Sequence, residues 1–243
     1  MPGILDSEQR QSRSYRTYKR EQEQISRRKL YKTTALYTSY SAILLVLALR
    51  SSHAYRAVGF YLGGIPFWML LEYFSHRFVL HRHWKISKRP HKRFLTRLAN
   101  KHLDPTHFGH HARPFDGNHM SGRIRDLLPL FVLGGPLSVL LFPAYTASML
   151  VAGAFQSYIA EEWIHHATHY YNFRDPYFRY MKKHHLYHHT SQGMTRGFGT
   201  SSGLLDFVFQ TRYPKQVRQR LYGSKARRLR QSEQPDSARL NIS

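Results

Sequence analysis

The chain has no cysteine among its 243 residues. That excludes disulfides, thiolate metal sites, iron–sulfur clusters and a cysteine nucleophile, and it leaves cysteine usage silent on redox compartment. Acids are scarce: 14 Asp and Glu stand against 37 Lys and Arg, for a formal net charge of +23. Such a balance suits nucleic acid or an anionic membrane surface, and only the placement of the charges separates the two. No nucleic-acid module signature appears, although segments such as SRSYRTYKR have the composition to touch RNA. Residues 1–32 hold no apolar stretch of the signal-peptide kind, so no cleavage is expected. There is no G-x-G-x-x-G dinucleotide fingerprint, no His-Pro-Gly-Gly haem motif and no repeat of fixed period.

Long apolar runs are few, yet they are segregated. Residues 127–160 contain no charged side chain, and 33–49 and 57–71 are two further uncharged runs. A spanning helix needs about 20 mostly apolar residues, so each run is slightly short unless its helix continues into water. Taking spans at roughly 33–50, 56–76, 127–143 and 144–165, Lys+Arg number 9 in residues 1–32, 12 in 77–125 and 14 in 169–243, leaving Arg50 and Arg56 beside the first short connection. An even number of spans puts the three rich segments on one side, which the positive-inside rule makes cytoplasmic, termini included. The charge is thereby accounted for by anionic lipid headgroups, and no nucleic-acid partner is expected. The expected architecture is an all-α integral membrane protein: four transmembrane helices with a cytosolic helical cap. It divides into a basic cytosolic N-terminal segment (1–32), a membrane domain (33–223) and a disordered basic tail (224–243).

Histidine is what the chain has in excess, with 17 residues. Ten fall into four spaced clusters: His76 and His81; His107, His110 and His111; His165 and His169; His185, His188 and His189. At about 100° per residue, positions i, i+3 and i+4 of a helix share one arc, so each of the last three clusters presents a common face. His76 and His81 converge only if the helix ends or bends between them. About 0.1 occurrence of H-x-x-H-H is expected by chance over this length, and two are present. Imidazole suits iron, copper, nickel and zinc, and ten rings exceed one coordination sphere, so two metal ions are expected. The adjacent pairs His110/His111 and His188/His189 are placed to give one ring to each. His53, His83, His91 and His119 have no cluster partner and read as surface residues; His102, His166 and His184 read as supporting or surface residues. Glu72, Glu161 and Glu162 lie near helix ends, either as acceptors for a ligand's free N–H or as interfacial charges.

These residues resemble the fatty acid hydroxylase superfamily, and within it the fatty acid 2-hydroxylase branch, over about residues 68–213. The carriers are EYFSHRFVLHR, HFGHHARPFDG, IHHATHYY, KKHHLYHH and the downstream GFGTSSGLLDFVFQT, in which Leu205 stands for a usual Trp and Gln210 for a usual Gly. The third motif pairs His165, not His166, with His169. The resemblance implies a di-iron monooxygenase that uses O2 to hydroxylate an acyl chain of a fatty acid or membrane lipid reached from the bilayer, with the ten clustered histidines as ligands and zinc able to occupy the site in purified protein. A sterol, carotenoid, sphingoid or aminolipid-headgroup substrate is the alternative within the superfamily, and a membrane metal carrier or sensor the alternative outside it. With no haem, flavin or iron–sulfur signature in the chain, electrons are expected from a separate ferredoxin or cytochrome with its reductase. Arg179, Lys182 and Lys183 beside the fourth cluster are candidates to steer it.

Overall fold

The protein is described by a computed structural model, in which residues 2–121, 124–217 and 219 are placed. The expected tail, 224–243, lies outside the described residues. Among these residues every regular element is helical. α1 spans Pro2–Leu49 and α2 spans Ala54–Ser75, prolonged by a π-helical turn at His76–Leu80. α3 (Pro90–Ala112), α4 (Ile124–Leu141), α5 (Ala147–Tyr170), α6 (Pro176–His188) and a short α7 (Leu204–Val208) follow.

Local chemistry sets the helix starts nearest the histidines. Asp175 caps α6, its carboxylate accepting the Phe178 N–H at 3.0 Å. Pro176 then occupies a first-turn position, where a missing N–H costs nothing, and Pro90 does the same for α3. α1 passes position 32 without a break, so the polar segment and the first apolar run form one rod of 48 residues.

α1, α2 and α4 pack around α5. Tyr37 of α1, Phe131 of α4 and Phe155, Tyr158 and Ile159 of α5 make one apolar cluster, with the Tyr37 and Phe155 centroids 4.6 Å apart edge-on. α2 and α5 cross with their backbones close together. A Cβ at Gly64 would collide with the Leu150 carbonyl and the Ala154 nitrogen, and one at Gly153 with the Tyr61 carbonyl. Small residues permit such close approach of two helix backbones.

Among the described residues two helical stretches are long and apolar enough to cross a membrane, Arg13–Leu49 and Ala54–Leu80. The third expected span corresponds to α4, whose apolar helix Phe131–Leu141 is shorter than a full crossing. The fourth corresponds to α5, the helix at the centre of the packing. Leu133 and Leu140 of α4 are 64% and 81% exposed, and Ile43, Val46 and Leu62 also point outward. An apolar coat of this kind suits lipid rather than water.

Candidate metal centre

All ten clustered histidines come together, in two groups of five. His76, His81, His107, His111 and His188 form one group, and His110, His165, His169, His185 and His189 the other; within each, one nitrogen per ring lies within 4.8 Å of all the others. The adjacent pairs divide as their spacing suggests. His111 and His188 go to the first group, His110 and His189 to the second. The groups adjoin through His111 and His189, whose ring centroids stand 4.4 Å apart.

Helix geometry accounts for the convergence. α3 supplies three rings, α5 two, and α6 with the residue after it three. His76 and His81 are brought together by the π-helical turn, where the His81 N–H donates to the His76 carbonyl five residues back. That wider turn returns residues five apart toward one face, and their rings lie 5.1 Å apart.

The nitrogen spacing fits metal ions. The Nε2 atoms of His81 and His188 are 3.0 Å apart, those of His110 and His165 2.9 Å, those of His169 and His185 2.8 Å, and those of His185 and His189 3.0 Å. Two ligands at a right angle about an ion with ~2.1 Å bonds stand ~3.0 Å apart. Among the described residues the His107 Nε2 and both ring nitrogens of His111 are buried with no hydrogen-bond partner, which leaves a lone pair on each ring for a metal ion.

Two rings have their tautomer fixed. His76 Nδ1 donates to the Phe198 carbonyl at 2.5 Å and His188 Nδ1 to the Arg196 carbonyl at 2.6 Å. A carbonyl only accepts, so each Nδ1 carries the proton and each Nε2 offers its lone pair to the group. Burial also holds the rings neutral. It lowers His81 and His111 to about 4, and, together with the neighbouring imidazoles, His107 to about 2. His110, His169, His185 and His188 lie well below the ordinary imidazole value for the same reasons.

The loop supplying both carbonyls is held by two buried acids. Asp206 accepts the Phe198 N–H at 3.0 Å, the Gly199 N–H at 2.7 Å, the Thr211 hydroxyl at 2.6 Å and the His184 Nε2–H at 3.1 Å. Glu72 accepts the Thr200 N–H, the Ser201 N–H and the Ser201 hydroxyl. Gly197 enters this loop at φ +73°, a left-handed conformation that glycine takes without steric cost. Glu72 therefore supports the site through a loop rather than through a ligand N–H. Asp206 was not singled out by sequence, although it is the lone acid between residues 176 and 232 and sits in an apolar stretch.

The remaining histidines sort by burial. His166 turns away from both groups, its Nδ1 2.8 Å from the Ser26 hydroxyl, and His184 is wholly buried against Asp206; neither is a surface residue. His119 is not a plain surface residue either. It pairs with Asp116 at 2.9 Å and lines a cavity beside the two groups. His53 stacks on Tyr145 and His83 on Phe108. The cavity measures about 390 Å³ and is lined by apolar groups such as Trp68, Leu71, Leu80 and Tyr158 and by ring edges of both groups. Glu161, which accepts the Trp68 indole N–H at 2.7 Å, and Glu162 also face it.

A family model described as fatty acid hydroxylase matches residues 61–211. Fatty acid 2-hydroxylase of Rattus norvegicus is 29% identical over 164 residues, covering 66% of this chain and 41% of that protein. A dihydroceramide fatty acyl 2-hydroxylase of Arabidopsis thaliana is 32% identical over 152 residues, covering 61% of this chain and 58% of that one. The chain thus spans about half the length of these relatives. The solved structure of full-length scs7p, with only its hydroxylase domain visible, superposes with a TM-score of 0.62 at 25% identity, covering 76% of this chain and 67% of that one. With histidines, helices and loop arranged as described and the family model matching well over half its length, the chain belongs to the fatty acid hydroxylase family.

Proposed function

We propose that the protein is an O2-dependent, di-metal hydroxylase acting on the acyl chain of a fatty acid or membrane lipid, with one iron ion held by each five-histidine group. The observation that carries this reading is the pair of adjoining imidazole groups opening on one largely apolar cavity. The two curated relatives are named as hydroxylases of fatty acyl chains, which supports the same substrate class here.

Bound iron would supply the redox chemistry with O2 that imidazole alone lacks and that zinc cannot replace. The chain's own groups do the rest. His76 and His188 present fixed Nε2 lone pairs, and burial keeps the other rings deprotonated and ready to coordinate. Trp68, Leu71 and Tyr158 exclude water from the space where a methylene chain would lie. Inserting one oxygen atom into a C–H bond and releasing the other as water takes two electrons, and in this reading a ferredoxin or cytochrome with its reductase delivers them by docking near the site. Lys182 is a poor candidate for that contact, because its ammonium donates to the Tyr171 carbonyl and the Asn172 side chain and so closes the α5–α6 connection. Arg179, exposed on the same helix, is the better one.

In this reading α1, α2, α4 and α5 cross the bilayer, and the termini and metal site face the cytoplasm beside anionic headgroups. The one-sided placement of Lys and Arg supports that orientation. The test is lipid mass spectrometry on cells with and without the chain, supplied with isotopically heavy O2. The expected product carries one heavy oxygen on an acyl fragment and is absent with His110→Ala. Heavy oxygen found instead on a sterol or headgroup fragment would replace the substrate class, and no labelled lipid at all would remove the hydroxylase reading.

A further inference from the structure

Residues 88–95, which lead into α3 and form its first turns, are all exposed, and they are of two kinds. Phe94 and Leu95 are 72% and 64% exposed, with Leu98 and the preceding Ile86 also open. At about 100° per residue, Phe94, Leu98 and Leu95 fall within one ~100° arc, while Lys92, Arg93 and Arg97 lie outside it. From residue 73 to 103 there is no Asp or Glu, against nine Lys and Arg. An apolar stripe flanked by cations is the pattern of a helix lying in a membrane interface. The position in the fold agrees. The apolar stretch Ala54–Leu80 ends only ten residues before Pro90. Between them Trp84 donates its indole N–H to the Val79 carbonyl at 3.0 Å, with the Arg82 guanidinium 4.9 Å above its ring. An indole at the exit of a span marks the headgroup level.

We propose that residues 86–98 form an interfacial segment that binds an anionic bilayer surface, with Phe94, Leu95 and Leu98 inserted among the acyl chains and Lys88, Lys92, Arg93 and Arg97 on acidic headgroups. The same helix continues to Leu103, Thr106 and His107, which line the cavity. It therefore links the lipid surface to the site in one rigid element. The inference rests on the membrane-spanning part of the proposed function and not on the metal ions.

The absence of cysteine makes the test clean, because a single introduced thiol is the only labelling position. The full chain carrying Phe94→Cys or Arg93→Cys, labelled with a nitrobenzoxadiazole fluorophore, is reconstituted into vesicles of phosphatidylcholine alone or with phosphatidylglycerol. Retention of the protein by vesicles after an alkaline carbonate wash, which strips surface-bound proteins, reports spanning independently of α3. The label at 94 should be quenched by a shallow nitroxide lipid and shielded from aqueous iodide, more strongly with phosphatidylglycerol, while the label at 93 stays open to iodide. Each basic residue near an anionic surface adds about fivefold to partitioning, so Lys92→Gln with Arg97→Gln should weaken the preference for phosphatidylglycerol by roughly 25-fold. Equal iodide access at 94 and 93 in both vesicles would overturn the proposal. So would shielding of position 94 that appears only when a soluble redox protein is added, which would assign this face to the electron donor.

Discussion

Asp206→Ala tests whether the loop at 196–201 governs the metal centre. Four donors converge on this buried carboxylate: the Phe198 and Gly199 N–H groups, the Thr211 hydroxyl and the His184 imidazole. Leaving a buried donor without an acceptor costs about 1–3 kcal/mol. Water entering the space vacated by the carboxylate recovers part of this, so a loss of about 3–6 kcal/mol of stability is expected. The effect on metal is sharper because it is one-sided. Both carbonyls that orient ligand rings, Phe198 to His76 and Arg196 to His188, belong to this loop, and both rings belong to the first group. Losing an outer partner of a ligand lowers affinity about 10–100-fold. Competition with a chromophoric chelator should show that loss at one of two sites, with the second site unchanged. Should Asp206→Ala fail to fold, Asp206→Asn keeps the volume and one acceptor and should show the same one-sided loss at smaller size. Equal weakening at both sites, or none, would refute the claim that the loop acts through His76 and His188.

Three further outcomes follow from individual positions. Gln210 is held at φ 55°, where a side chain costs about 1–2 kcal/mol, so Gln210→Gly should raise stability by about 0.5–1 kcal/mol after the entropy of glycine is counted, seen as a small increase in Tm; a decrease would show that the Gln210 side chain makes a compensating contact. Gly153→Leu places a side chain into the Tyr61 carbonyl at the α2–α5 crossing and should abolish the monodisperse peak in detergent size exclusion, whereas Gly59→Leu, where nothing lies within 4 Å, should not. For pH, the folded values of His81 and His111, about 4, and of His107, about 2, all lie below the ordinary 6.5. A depressed value contributes stability that is present above the unfolded value and lost as pH falls toward the folded one. The three rings' own contribution to the stability of chelator-stripped protein is therefore constant above pH 6.5 and lost toward pH 4; imidazole NMR of that protein should show all three rings neutral at pH 6.5, and a protonated His81 or His111 at that pH would contradict the neutral buried rings.

The helical histidine clusters were legible because i, i+3 and i+4 spacing fixes a shared face whatever the tertiary context. His76 and His81 were less so: their meeting depends on a π-helical turn that no residue in RFVL announces. The outer support was hidden for a different reason. Main-chain carbonyls of Arg196 and Phe198 leave no side-chain signature, and the isolated Asp206, passed over in the sequence, was the one signal that could have led to them. The polar stretch 8–29 gave no apolar period to follow, yet it continues α1 and delivers Ser26 to His166. Lys29 of the same helix donates to the Asn118 carbonyl at 2.6 Å and so fixes a loop at the cavity edge. Span lengths were the weakest reading: the apolar run 127–160 divides between α4, whose apolar helix is only Phe131–Leu141, and α5, which buries much of its surface against its neighbours.

The most direct measurement of the central claim is anaerobic titration of ferrous iron into the purified chain, read by bound metal per chain. The account predicts two ions for the natural sequence. His107→Ala with His188→Ala, both in the first group, should leave one ion, and His169→Ala with His185→Ala, both in the second, should also leave one. A single ion in the natural protein, or loss of all metal when either group alone is broken, would contradict two separate five-histidine sites.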